Sequence, residues 1–187
     1  MAANSFMVPL GTAAPAFDLT AVNGGSVALD DFKGSPATLV VFLSNHCPYV
    51  RHIEAALGAM AASYGARLSV VAICSNDSVN YPDDDPTHLA EQVARAGFAF
   101  PYLLDETQEV AKAYRAACTP DFFLYDAELR LVYRGQFDDS RPGNDLPVTG
   151  ASLRAAVDAV LKGEPVEADQ RPSIGCGIKW KPGNAPA

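Results

Sequence analysis

No two cysteines stand at C-x-x-C spacing, and lysine and arginine form no run anywhere in the chain. The first absence argues against a structural zinc site, and the second argues against a nucleic-acid partner. A net charge of −8, from 14 basic and 22 acidic side chains, points the same way, because phosphate backbones would be repelled. No apolar run reaches the ~20 residues of a membrane span. Met1 to Phe6 carry no basic residue followed by a long apolar core, so neither a membrane partner nor a leader is expected. A cytoplasmic location follows as the expectation, and there a disulfide would be transient and chemical rather than structural. No metal and no cofactor are called for.

What is present is organised around Val40-Val41-Phe42-Leu43-Ser44-Asn45-His46-Cys47-Pro48-Tyr49-Val50. A β-branched apolar run gives way to polar residues at Ser44-Asn45. Apolar residues then recur at Val50, Ile53, Leu57, Met60 and Tyr64, which is helical spacing. The pattern predicts a strand handing over to a helix, with Cys47 at the junction and Pro48 at a first helical position, where its missing N–H costs nothing. The sulfur is therefore expected to face the free amides of the helix. Those amides and the helix dipole favour a negative charge, and the thiolate is the nucleophilic form; cysteines so placed have pKa values lowered to roughly 3.5–7.5.

A chain of 187 residues fits one domain. Residues 1–36 read as an added hairpin, with Phe17-Asp18-Leu19 and Val27-Ala28-Leu29 on either side of the turn signal Asn23-Gly24-Gly25. Arg67 to Cys74 is apolar nearly throughout, as a central parallel strand with both faces covered would be. Asp85 before Pro86 reads as a helix cap; no EF-hand register runs through Asp83-Asp84-Asp85. Phe98 to Leu104 reads as a strand near an edge because of Pro101. Asp105-Glu106-Thr107-Gln108 resembles a capping box for a helix through Val110, Ala113, Tyr114 and Ala117. Phe122 to Tyr125 and Leu131 to Tyr133 form a hairpin, and Gln136 to Pro147 a polar loop. Thr149 is expected to cap a last helix, and His52 to lie on a solvated helix face. Residues 164–187 form an irregular tail, although Cys176 and Trp180 suggest that part of it docks.

The order β-α-β, helix, hairpin, helix gives a mixed α/β sheet flanked by helices, the layout of thioredoxin. The chain resembles the peroxiredoxin-like branch of the redoxin (alkyl hydroperoxide reductase/thiol-specific antioxidant) families. The resemblance rests on Asn45-His46-Cys47-Pro48-Tyr49-Val50, Ala14-Pro15-Ala16-Phe17-Asp18-Leu19, Cys118-Thr119-Pro120-Asp121-Phe122-Phe123 and Pro172-Ser173-Ile174-Gly175-Cys176-Gly177-Ile178-Lys179-Trp180. It implies a catalytic Cys47, a cis Thr119-Pro120 bond beside it, and substrate contacts from Thr119, Pro48 and Tyr49. It also implies a disulfide or peroxide substrate and an external dithiol reductant.

Three departures shape the expected chemistry. Val50 replaces the second cysteine of a thioredoxin C-x-x-C. Ser44 stands where peroxiredoxins keep an activating hydroxyl, but Val40 stands for their proline and Pro120 for their arginine. Thiol–disulfide exchange at Cys47 is thus the first expectation. Peroxide reduction is the alternative, and a non-catalytic binding module using the Thr119-Pro120 groove is a third reading. Cys118 and Cys176 are both candidates to resolve oxidised Cys47: the first lies two residues before the expected cis-proline, and the second sits in a glycine-flanked stretch that could swing in.

Overall fold

The computed structural model describes residues 2–186. In chain order the elements are β1 (Ala2–Asn4), β2 (Asp18–Ala21), β3 (Ser26–Ala28), β4 (Thr38–Phe42), α1 (Pro48–Tyr64), β5 (Ser69–Cys74) and α2 (Pro86–Ala96). There follow β6 (Tyr102–Leu104), α3 (Glu109–Tyr114), β7 (Cys118–Thr119), β8 (Asp121–Tyr125), β9 (Leu131–Tyr133), α4 (Ala151–Lys162) and β10 (Ile174–Gly177). Seven strands form one sheet in the order β3-β2-β6-β5-β4-β8-β9, and three form a second in the order β1-β10-β7.

All five residues of β4 are buried, as its unbroken apolar run requires of a strand covered on both faces. It pairs in parallel with β5 and antiparallel with β8. Because side chains alternate along a strand, Leu39 and Val41 face one core, shared with Ile53, Leu57 and Met60 of α1, Leu89 of α2 and Leu153 and Val157 of α4. Val40 and Phe42 face the other, with Val110 and Tyr114 of α3 and Phe123 of β8. Burying a side chain of this size contributes roughly 1.5–3 kcal/mol relative to leaving it exposed. This sandwich therefore holds the carboxyl end of β4, and with it the start of α1, at a fixed place. Gly58 lets α1 and α2 meet closely, since a Cβ there would run into backbone carbonyls of Ala96 and Gly97.

The thioredoxin-like α/β layout with its N-terminal hairpin is present, and the hairpin's Gly24 and Gly25 both take φ near +80 to +90°. Several local expectations are corrected. β6 lies inside the sheet, between β5 and the hairpin strand β2, because Pro101 stands before the first paired residue. The helix expected through Ala117 stops at Tyr114, where Arg115 turns left-handed with φ 54°. Its first turn is capped by the Asp105 carboxylate, which accepts the Ala111 N–H at 2.9 Å, and not by a capping box through Gln108, whose φ is 66°.

Gly150, with φ 68°, is the cap residue of α4 in place of Thr149. The Asp138 carboxylate accepts the N–H groups of Thr149 and Gly150, both at 2.7 Å. The loop from Gln136 therefore carries a buried anchor as well as polar surface. The tail docks in part, as Cys176 and Trp180 suggest, and its expected irregularity is corrected. Residues 174–177 form a strand held between β1 and β7, and Ile178 and Trp180 pack onto the α3-side core. Among the described residues no helix is long and apolar enough to cross a membrane.

Candidate functional site

Cys47 caps α1 with extended backbone (φ −72°, ψ 119°), and Pro48 opens the helix. The residue is completely buried. Its thiol donates to the Thr119 carbonyl oxygen at 3.1 Å and makes no hydrogen bond to the first-turn amides. The sulfur is expected to face those amides from the cap position; its hydrogen-bond partner is the β7 backbone. The Thr119–Pro120 bond is cis. Pro120 and Tyr49 line a small crevice with His52, Phe137, Arg141 and Ile174, while Pro48 faces outward.

Cys176 lies opposite Thr119 in the β10–β7 register, and Gly177 lies opposite Cys118. This pairing sets Cys176 beside the Thr119 carbonyl to which Cys47 donates, so that the two thiols act on each other. Burial pushes the Cys176 thiol up, the nearby Cys47 pushes it further, and Lys179 opposes them, leaving it at about 11. Cys176 was expected on a mobile stretch that swings in; it is already in place on a strand paired on both sides.

Cys118 is fully buried, with its sulfur 3.6 Å from the Pro120 carbonyl oxygen. Burial raises its thiol far above the ordinary range, and the charges of Asp121, Cys47 and Cys176 add to the effect. Cys74 is raised by burial and then by the charge of Asp84. All four cysteines are free thiols. Among the described residues no three His, Cys, Asp or Glu side chains converge as a metal site would require.

Ser44 does not aim its hydroxyl at Cys47. It donates to the Asp84 carboxylate, 3.1 Å from each oxygen, and lies 3.2 Å from Nδ1 of His46. Asp84 also accepts the Asn45 N–H at 2.7 Å, the Asn76 amide at 2.7 Å and His46 Nδ1 at 2.7 Å. Burial pushes this carboxyl up, but the hydrogen bonds from His46 and Asn76 and the charge of His46 outweigh it and hold the group below the usual carboxylate range. An ionised carboxylate inside the protein needs such donors. Asp84 is thus the hub that fixes residues 44–46, directly before Cys47. Sequence reasoning missed it, because three consecutive aspartates offered only the cap at Asp85 as an assignable role.

Three further placements matter. His46 stacks on Tyr81, with ring centroids 5.8 Å apart and planes 13° from parallel. His52 is not on a solvated face: its Nε2 is 3.1 Å from the Ser140 hydroxyl. Asp121, next to the cis proline, is fully buried; burial pushes its carboxyl up to about 7, against the Ala117 N–H that it accepts at 2.9 Å.

Comparison with known proteins bears on the family and the fold. The model of the AhpC/TSA family matches residues 10–134, a span that holds Ser44, Cys47, Cys118 and Pro120 and ends before β10. No curated protein matches. Among solved structures, an uncharacterized conserved protein from Geobacillus kaustophilus is 54% identical over 97% of both chains, with a TM-score of 0.94. A hypothetical protein from Sinorhizobium meliloti 1021 is 55% identical over 96% of this chain and 99% of its own, also with a TM-score of 0.94. The thioredoxin domain of a thiol-disulfide oxidoreductase from Bacteroides vulgatus shares the fold at 20% identity, covering 80% of this chain and 99% of its own, with a TM-score of 0.61. A family match over two thirds of the chain, on a thioredoxin-like fold that gathers cysteines at one strand end, makes the chain a member of the AhpC/TSA family with a thiol-based redox function.

Proposed function

We propose that the protein is a thiol–disulfide oxidoreductase whose redox couple is Cys47 and Cys176. The single observation that carries this reading is the β10–β7 register, which sets Cys176 opposite Thr119, the residue whose carbonyl accepts the Cys47 thiol at 3.1 Å. Cys47 as thiolate attacks one sulfur of a disulfide, forming a mixed disulfide and releasing the other half as a thiolate. Cys176 as thiolate then attacks the Cys47 sulfur, closing Cys47–Cys176 and releasing the second half. An external dithiol returns both cysteines to thiols. Cys118 is the weaker resolving candidate, since burial raises its thiol further than that of Cys176 and its sulfur lies against Pro120.

Disulfide exchange is favoured over peroxide reduction by the commitment of Ser44. Cleaving an O–O bond calls for donors aimed at the transferring oxygens, and losing one such donor commonly costs on the order of 100- to 1000-fold in rate. The Ser44 hydroxyl is directed to Asp84, and Pro120 occupies the position expected of an arginine. Thr119, Pro120, Pro48 and Tyr49 are left to align the disulfide.

Two assays on one preparation test the reading: insulin reduction driven by a dithiol, and hydrogen peroxide consumption driven by the same dithiol. Disulfide reduction should be the more efficient, and it should vanish in Cys47→Ser. Efficient peroxide turnover with negligible insulin reduction would overturn the choice. A non-reducing peptide map after mild oxidation should join Cys47 to Cys176.

A further inference from the structure

We propose that His46 is the proton donor to the departing half of the substrate disulfide, and that Asp84 is the residue that positions it for that task. The inference rests on the thiol–disulfide reading above and adds a group to its first step. When Cys47 attacks a disulfide, the rate depends on the pKa of the thiol that leaves. An alkyl thiolate such as that of cysteine, whose thiol has a pKa near ~8.5, leaves slowly at neutral pH unless a proton is at hand.

The geometry holds one such proton at the rim of the site. His46 immediately precedes Cys47, and its ring is 22% exposed where Cys47 is completely buried. A disulfide reaches Cys47 from outside, so the departing half stays on the outer side with the His46 ring and the exposed Pro48. The Asp84 carboxylate, shielded from solvent, lies 2.7 Å from His46 Nδ1 and accepts the His46 backbone N–H at 3.3 Å. Held below the usual carboxylate range, Asp84 is ionised and can only accept, so Nδ1 carries a proton. Nε2, which has no hydrogen-bond partner among the described residues, is left as the nitrogen that exchanges a proton with its surroundings. Tyr81 fixes the plane of the ring by stacking on it, and the same turn supplies both supports, since the Asp84 N–H donates to the Tyr81 carbonyl at 3.0 Å. The Lys179 ammonium is 5.8 Å from the Tyr81 ring centroid, and its charge acts on Cys176. The stack therefore runs from His46 to the strand that carries the second cysteine.

The step balances with the substrate disulfide as the only oxidant. The Cys47 thiolate bonds to one substrate sulfur as the substrate S–S bond breaks, and that half stays on Cys47 as a mixed disulfide. The electron pair leaves on the other sulfur, which takes the Nε2 proton and departs as a thiol. His46 keeps the Nδ1 proton that faces Asp84 and regains the second from water. While both ring nitrogens carry protons, the Asp84 anion balances the charge of the ring. A positioned proton donor of this kind contributes typically about 10²–10⁴-fold in rate.

Two disulfides that differ in their leaving group test the assignment on the reduced full-length protein, read as the single-turnover rate of mixed-disulfide formation at Cys47 by acid quench and mass spectrometry. 2-Hydroxyethyl disulfide must expel an alkyl thiolate, whereas 5,5′-dithiobis(2-nitrobenzoate) expels an aromatic one acidic enough to leave unaided. His46→Asn keeps a side-chain amide donor for Asp84 but has no proton to transfer. It should slow the alkyl disulfide about ten-fold or more and leave the aromatic one within about two-fold. Asp84→Asn, which keeps the imidazole and removes its anchor, should show the same selectivity with a smaller loss; a rate on the alkyl disulfide equal to the parent's overturns the positioning role. Equal slowing of both disulfides in His46→Asn, as displacement of Cys47 would give, or no slowing of either, overturns the proton donor and leaves the thiol–disulfide reading intact. If Cys47 of the unaltered protein forms a mixed disulfide with neither reagent, that reading falls and the proposal falls with it.

Discussion

The two sheets of this molecule are held by different forces. The seven-stranded sheet is closed by apolar side chains on both faces, with Phe42, Tyr114 and Phe123 stacked edge to face at 5.6–5.9 Å between centroids. The three-stranded sheet is made of Ala-Ala-Asn, Cys-Thr and Ile-Gly-Cys-Gly, which have little apolar surface to bury. Backbone pairing and a few side-chain hydrogen bonds hold it, each with a net contribution of roughly 0.5–1.5 kcal/mol. The two cysteines lie at the seam where the apolar core of the larger sheet meets the hydrogen-bonded strands of the smaller one, with Cys47 fully buried and Cys176 partly exposed.

The comparison breaks most visibly if the core is cut. Phe42→Ala should lower unfolding stability by about 3–5 kcal/mol, read as a fall in the urea midpoint. The joining of Cys47 to Cys176 on oxidation should survive under native conditions. Loss of that disulfide in a variant that remains folded would show that the seam depends on the core more than its own contacts suggest.

Next comes pH, where two buried aspartates on either side of the seam should act in opposite directions. Unfolded, Asp121 ionises near pH ~3.9. Folded, its carboxyl keeps its proton until about 7. As pH rises the unfolded state therefore loses this proton first, and stability should decline between about pH 4 and about pH 7. Asp121→Asn should flatten that decline and raise the urea midpoint above that window. Asp84, held below the usual carboxylate range, contributes stability that is present above about pH 4 and is lost as pH falls through its folded value. Asp84→Asn should remove that acid-side loss. Urea midpoints for the two variants measured from about pH 3 to about pH 8 check both signs.

Gly175→Ala probes the seam alone. Its new Cβ meets backbone, not a side chain that can turn aside, so β10 must move away from β7. Overpacking of this kind costs about 1–3 kcal/mol. The sharper readout is the rate of Cys47–Cys176 closure after oxidation, which should fall at least ten-fold. An unchanged rate would separate closure from the β7–β10 pairing.

Ser173→Ala should have the smallest effect, about 1 kcal/mol, because it leaves the buried Pro120 carbonyl without the hydroxyl that caps it. Amide exchange in residues 174–177 should quicken while exchange in β4 and β5 stays as it was. Quickening in both would mean that the two sheets open as one unit.

Much of the larger sheet was legible before any fold was known. Continuous apolar runs place β4 and β5 in its middle, Asn23-Gly24-Gly25 marks the hairpin, and the change from period two to period 3.6 locates Cys47 at a strand-to-helix junction. These signals are local, arising from how a few neighbouring residues satisfy their backbone and bury one face. The resemblance of Asn45-His46-Cys47-Pro48 and Thr119-Pro120 to redoxins supplied the fold and the candidate for the attacking cysteine.

Tertiary structure alone decided what surrounds that cysteine. Ile174-Gly175-Cys176-Gly177 has no periodicity and too little apolar surface to declare a strand. It becomes one because β1 and β7, distant in sequence, offer it two open edges. The same holds for Asp84, whose partners Ser44, Asn45 and His46 lie some forty residues before it. Spacing along a chain records which residues share a face of one element. It does not record which loop carboxylate or which tail thiol long-range pairing will bring to that face, and that pairing placed Cys176 beside Cys47 and turned Ser44 toward Asp84.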